Sequence, residues 1–284
     1  MTTPFTPAHD DHPHPAAGSS RVLAVAVILT LAYAMIEALA GWWSGSLALL
    51  GDAGHMLTDA VALLIAALAA RIALLPPSPR HSIGMARAEL VAAFINAAFM
   101  LAVVGMLVVE GVSRLLEPVE VKGGAVAVVA GAGLVLNLGV AWMLSRGARD
   151  LNVRAAMLHV AGDALGSVAA LVSGIVVMLT GWSRVDPALT FIIAALIGYS
   201  SLRLAREALH GLMEGVPFRL SLPVIGNAMA AVPGVVSVHD LHVWSISSER
   251  VALSAHVVLE RMDGWTAVLA ACASSFGRAL VSNT

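Results

Sequence analysis

Six apolar stretches follow one another along the chain, near residues 22–43, 47–74, 87–115, 123–144, 154–180 and 187–208. Crossing about 30 Å of hydrocarbon takes about 20 helical residues, so each stretch predicts a transmembrane helix. The breaks between them are clusters of Gly, Pro, Ser and charge: "WWSGS" (42–46), "PPSPRHSIG" (76–84), "LLEPVEVKGG" (115–124), "SRGARDLN" (145–152) and "GWSRVDP" (181–187). After about residue 211 the pattern changes. "SLPVIGNAMAAV" (221–232) predicts a short amphipathic helix, and "VVSVHDLHVWSIS" (235–247) alternates as a strand does. "SSER" (247–250) predicts a turn, "VALSAHVVLE" (251–260) a second strand and "WTAVLAACASSFGRAL" (265–280) a helix. The order α-β-β-α predicts a small α+β domain. Three regions result: a Pro-, Thr- and His-rich tail over 1–20, expected to be disordered; a six-helix membrane domain over 21–210; and the α+β domain over 211–284.

Charge orients this arrangement. Arg21, Arg71, Arg80, Arg87, Arg146, Arg149, Arg154, Arg203 and Arg206 lie at one set of helix ends, whereas the opposite set carries Arg114, Lys122 and Arg184. The positive-inside rule places the first set, both termini and the α+β domain in the cytoplasm. Composition agrees with a membrane protein: 59% of the residues are hydrophobic and 12% charged, and the mean hydropathy is +0.87. The net charge of −2 offers no basic surface for nucleic acid. The single cysteine, Cys272, excludes an intrachain disulfide and a cysteine-based zinc site. The tail lacks the basic start and apolar core of a signal peptide, so the first apolar segment is expected to be retained as a helix.

Against this background "LLGDAGHMLTDAV" (49–61) stands out. It places Asp52, His55 and Asp59 in a lipid-length apolar run, where one charge costs roughly 3 kcal/mol. The fifth span repeats the pattern: "LHVAGDALGSV" (158–168) holds His159 and Asp163. His-x-x-x-Asp puts both side chains on one helical face, one turn apart. Two such faces brought together present two imidazoles and two carboxylates, a donor set suited to a tetrahedral divalent ion, zinc best of all. A single pair would be explained as polar stabilisation of the bundle, but two in different spans point to a metal. The same lone pairs bind protons, so proton and metal compete, as a proton-coupled exchanger requires.

Four segments carry a family resemblance: "SGSLALLGDAGHMLTD" (44–59), "RAELVAAFINAAF" (87–99), "NVRAAMLHVAGDALGSV" (152–168) and "GWSRVDPALT" (181–190). Together they resemble the cation diffusion facilitator family, in its zinc-transporting branch, over roughly residues 20–260. The resemblance implies six transmembrane helices, a cytoplasmic ferredoxin-like domain, a homodimer in the membrane, and antiport of metal against protons by alternating access. It maps the transport site onto His55, Asp59, His159 and Asp163, and His at the first position of each pair goes with zinc. The implied role is export from the cytoplasm, not enzymatic turnover, and the compact loops point to a bacterial inner membrane. His239 and His256 match family positions that bind a regulatory metal, zinc here, or are ordinary polar surface residues.

Other polar residues are read individually. Asp52 is a gate or outer-shell carboxylate, a helix-end group or a ligand. Glu37 has a cavity or proton-path role, because intramembrane ionisable groups are functional by default. Asn96 and Asn137 are hydrogen-bonding links between helices. Glu110 and Glu117 are interfacial. On a regular strand His239 and His242 face opposite sides, so they cannot share a site, and His242 beside Trp244 is a packing residue. The tail "HDDHPHP" (9–15) is a solvated segment or a weak metal scavenger, and His81 stands alone. The family's α+β domain ends in a third strand, for which residues 279–282 supply at most a stub, so an exposed sheet edge is expected. Two other functions are distinguishable. An intramembrane metalloenzyme needs a general base and an open coordination position, and no His-Glu-x-x-His occurs. A sensor could share the ligands but would move no ion.

Overall fold

The computed structural model describes residues 17–145, 151–247 and 250–281. Six long helices come first: α1 (Ala17–Ser44), α2 (Leu47–Ala73), α3 (Ala88–Leu116), α4 (Gly123–Ser145), α5 (Leu151–Thr180) and α6 (Val185–Leu212). Five, α2 to α6, contain described segments long and apolar enough to cross a membrane, and α1, at 28 residues, has the length to do so. Large apolar side chains on their outer faces, such as Val109 (71% exposed), Val128 (73%) and Leu179 (73%), have no protein cover and need lipid. The α+β part follows as α7 (Leu222–Ala230), β1 (Val235–Ser245), β2 (Val251–Leu259), a 3-10 turn at Met262–Gly264, and α8 (Trp265–Val281).

One expectation is corrected. Helix α1 begins at Ala17, inside the segment expected to be a disordered tail. Beyond Pro15 no proline interrupts the helix. At the other end residues 279–281 continue α8. The tail histidines and the centre of the "SSER" turn lie outside the described residues.

The described chain divides into two compact units, one comprising residues up to Ala60 with Met106–Ala194, the other Val61–Gly105 with residues from Ala195 on. In the first unit three residues, Ser44-Gly45-Ser46, end one helix and start the next. Gly45 adopts φ 75°, and Ser46 N–H donates to the Gly41 carbonyl at 3.1 Å, closing α1. Ser46 then caps α2: its Oγ accepts from Leu49 N–H at 3.2 Å. The strongest partner of this helix start comes from α6. Asp186, fully buried, accepts from Leu47 N–H at 2.6 Å, Ser46 Oγ at 2.6 Å and, from α5, Ser173 Oγ at 2.9 Å. A carboxylate thus sits at the positive end of the α2 dipole. Helices α4 and α5 approach closely through glycines. A Cβ on Gly123 would lie 2.5 Å from Met178 N, and one on Gly174 would lie 2.5 Å from Ala127 N. Such small-residue seams are how helices associate where lipid removes the hydrophobic driving force. At the same end Lys122 Nζ lies 3.8 Å over the Trp43 ring, and Glu110 pairs with Arg114 at 2.8 Å, as interfacial groups do.

In the second unit Arg87, just before α3, pairs with Glu214, just after α6, at 2.7 Å. β1 and β2 form a two-stranded antiparallel sheet. Ile225, Met229, Val232, Val243, Val268 and Cys272 make its core with α7 and α8. Burial pushes the Cys272 thiol up, away from the reactive thiolate.

Candidate metal centre

Asp52, His55 and Asp59 lie on successive turns of α2, beginning five residues after its capped start. That cap orients the turn that carries them. His55 Nδ1 is 3.7 Å from Asp59 Oδ2, and His55 Nε2 is 3.9 Å from Asp163 Oδ1 on α5. One ligand atom from each of the three lies within 4.8 Å of the others. Two donors about 2.1 Å from a tetrahedral ion stand roughly 3.4 Å apart, so this spacing needs only small side-chain rotations to close on zinc. Asp163 is 1% exposed, and the other two are about a fifth exposed (19% and 18%). His159 lies one turn before Asp163 on α5, and its side chain is outside the described residues.

Asp52 is buried behind this cluster, 1% exposed. Its Oδ2 accepts from Ser167 Oγ at 3.2 Å, and Ser167 Oγ accepts from Asn137 Nδ2 at 3.2 Å. The relay joins α2, α5 and α4. Gly166 makes room for it, since a Cβ there would lie 2.3 Å from Asp52 Oδ1. Glu37 on α1 is fully buried and interacts electrostatically with Asp52 and Asp163. Asn137 is the helix link expected from the sequence. Ser167, Gly166 and Asp186 were not anticipated, although the Asp-Pro pair at 186–187 is a helix-start signal.

A second group lies on the sheet. His239, Asp240 and His256 place ligand atoms within 4.8 Å of one another, all exposed. His239 pairs with His256 across the ladder, and His242 with Ser254. Two residues on β1, Asp240 and Leu241, therefore oppose one on β2, Ala255, a bulge at 240–241. Asp240 takes a left-handed φ of 51° there. Its Oδ2 lies 3.2 Å from His239 Nδ1 and 3.1 Å from His256 Nδ1. Contact with His239 first and His256 second holds the Asp240 carboxyl below its ordinary range. The bulge also corrects the regular-strand expectation. It resets the alternation, so the register places His239 and His242 on one face. His242 remains outside the cluster and lines a cavity with Trp244 and Ser254.

Comparison with known proteins places the chain in a family. The cation efflux transmembrane domain profile matches residues 23–213, and the cation efflux protein cytoplasmic domain profile matches residues 221–268. The zinc transporter ZitB of Yersinia pestis is 41% identical over 244 residues, 84% of this chain and 78% of the relative. ZitB of Escherichia coli K12 is 38% identical over 253 residues, 88% of this chain and 80% of the relative. The cadmium, cobalt and zinc/H(+)-K(+) antiporter of Bacillus velezensis is 36% identical over 252 residues, 88% and 80% of the two chains. With a family profile over most of its length and relatives of this identity, the chain belongs to the cation efflux family, the cation diffusion facilitators.

Proposed function

We propose that the protein is a proton-coupled antiporter that exports zinc from the cytoplasm by alternating access. The carrying observation is the meeting of His55 and Asp59 from α2 with Asp163 from α5. His159 is assigned as the fourth ligand on its spacing from Asp163. The ion is cargo, so its donors must be able to release it. Protonation does this: a charged His55 ring has a carboxylate near each nitrogen, Asp59 at one and Asp163 at the other. Asp52, tethered by Ser167, is assigned as the outer-shell carboxylate that steadies the α2 side of the site, and Glu37 as a group on the far-side proton path. The relatives' names and bacterial sources support zinc as cargo and an inner-membrane location. The Arg asymmetry supports cytoplasmic termini, with domains at 21–210 and 211–284. The cytoplasmic-domain match supports a homodimer.

Zinc flux into proteoliposomes under an imposed pH gradient tests the reading. Acid inside the vesicle is expected to drive zinc inward from a neutral exterior, and collapsing the gradient with a protonophore and ionophore should stop it. Zinc binding without any gradient-dependent flux would leave a sensor instead.

We assign His239, Asp240 and His256 as a regulatory zinc site on the cytoplasmic domain. Asp240 stays ionised below the usual carboxylate range, so loss of zinc on acidification follows proton competition for the two imidazoles. The double substitution His239→Ala/His256→Ala is expected to lower calorimetric zinc stoichiometry by about one per chain while the membrane site still fills. Unchanged stoichiometry would refute the assignment.

A further inference from the structure

Glu37 has a property that zinc ligation does not account for. It is 0% exposed, and among the described residues neither carboxyl oxygen has a hydrogen-bond partner. It lies seven residues, about 10 Å of helix, before the end of α1, the end joined to the start of α2. In the proposed orientation that is the far, non-cytoplasmic side.

Among the described residues, the groups that act on it are acids or carry no charge. Tyr33, one turn earlier on α1, interacts with it electrostatically but spends its hydroxyl proton on the Val129 carbonyl. Asp52 from α2 and Asp163 from α5 interact with it as like charges. Helix α4, which packs against α1, contains no titratable side chain. The His159 side chain on α5 lies outside the described residues. A carboxylate with neither donor nor cation is strongly disfavoured in an apolar interior, and like charges disfavour it further. The neutral acid is the form that this surrounding accepts.

From this geometry we infer that Glu37 is a second proton-carrying group of the exchange, protonated while the His55–Asp59–Asp163 centre is without its cation and discharged when a divalent cation binds there. The inference rests on the transport reading above. The step is a simple ionisation. The O–H bond of the Glu37 carboxyl breaks, its proton passes to water as hydronium, and the electron pair stays on the carboxylate. The dication supplies a stronger positive field than a protonated His55 ring does. When the ion leaves toward the far side, the carboxylate takes a proton from that side and returns to the neutral form. Glu37 thus couples to the cargo through the field, without coordinating it.

The test counts protons released per zinc bound, by calorimetry of the full-length protein in buffers of different ionisation enthalpy. Glu37→Gln keeps the shape and removes the proton. It is expected to bind zinc while releasing about one proton fewer, with the slope of log Kd against pH reduced by about one. Glu37→Asp should restore the count. If the wild type releases no proton on binding zinc, the exchange reading itself falls. If the wild type releases protons and Glu37→Gln releases the same number, the Glu37 assignment alone falls. The wild type also allows a variant-free measurement. Zinc should bleach the infrared carbonyl stretch of a buried, slowly deuterated carboxylic acid, and the absence of any bleach would overturn the inference.

Discussion

Replacing Asp163 by asparagine is expected to abolish gradient-driven zinc flux while leaving the metal-free protein folded. Asp163 is the α5 contribution to the described cluster and the most buried of its three members. Asn has the same shape, so packing between α2 and α5 is kept, but the anionic oxygen near His55 is lost. Altering a group that merely supports a ligand costs roughly 10–100-fold in metal affinity, and a direct carboxylate ligand should cost at least the upper end of that range. The thermodynamic signature follows from linkage. A ligand at about 100 times its Kd stabilises the fold by about 2.7 kcal/mol, so zinc should raise the melting temperature of the wild type and hardly move that of Asp163→Asn. Both are measurable on one purified sample, by thermal unfolding with and without zinc and by proteoliposome flux. Full flux in Asp163→Asn would sink the site assignment.

Local pattern made the helices legible, because lipid demands long unbroken apolar runs and satisfied backbones. The spans drawn from hydropathy end within a few residues of α1 to α6. The candidate pairs were legible for a similar reason: His55 with Asp59 is a one-turn spacing that any helix turns into one face. What remained hidden depends on contacts between distant segments. Ser46 and Asp186 are 140 positions apart, and Asp52 meets Ser167 from 115 positions away, so no window of sequence displays either bond. Asp240 was hidden by a different mechanism. Its neighbour His239 was identified, but strict alternation would turn Asp240 to the opposite face. A bulge and a left-handed φ, which Asp tolerates better than most residues, place it between two imidazoles instead.

Of these hidden contacts, the one at Asp186 carries the largest expected structural effect. Asp186→Ala should destabilise the folded protein by about 3–5 kcal/mol, since several buried donors lose their acceptor at roughly 1–3 kcal/mol each. Substitution leaves Ser46, Ser173 and the Leu47 N–H without the acceptor that now serves all three, and in this fully buried pocket water offers little replacement. It also removes the anion from the positive end of the α2 dipole. Because Asp52, His55 and Asp59 begin five residues into that helix, fraying its first turn should loosen the metal site as well. Asp186→Asn keeps one acceptor oxygen but turns an amide donor toward the remaining donors, so an intermediate loss is expected. The contrast with Asp163→Asn is the informative part. The ligand variant should lose the zinc-induced gain in stability and keep the metal-free stability, whereas the cap variant should lose metal-free stability first. Unfolding curves of the metal-free proteins in one detergent would separate them. If Asp186→Ala unfolds where the wild type does, the carboxylate does not hold α2 in place, and the positioning of the site must come from the α2–α5 packing around Gly166 and Asp52.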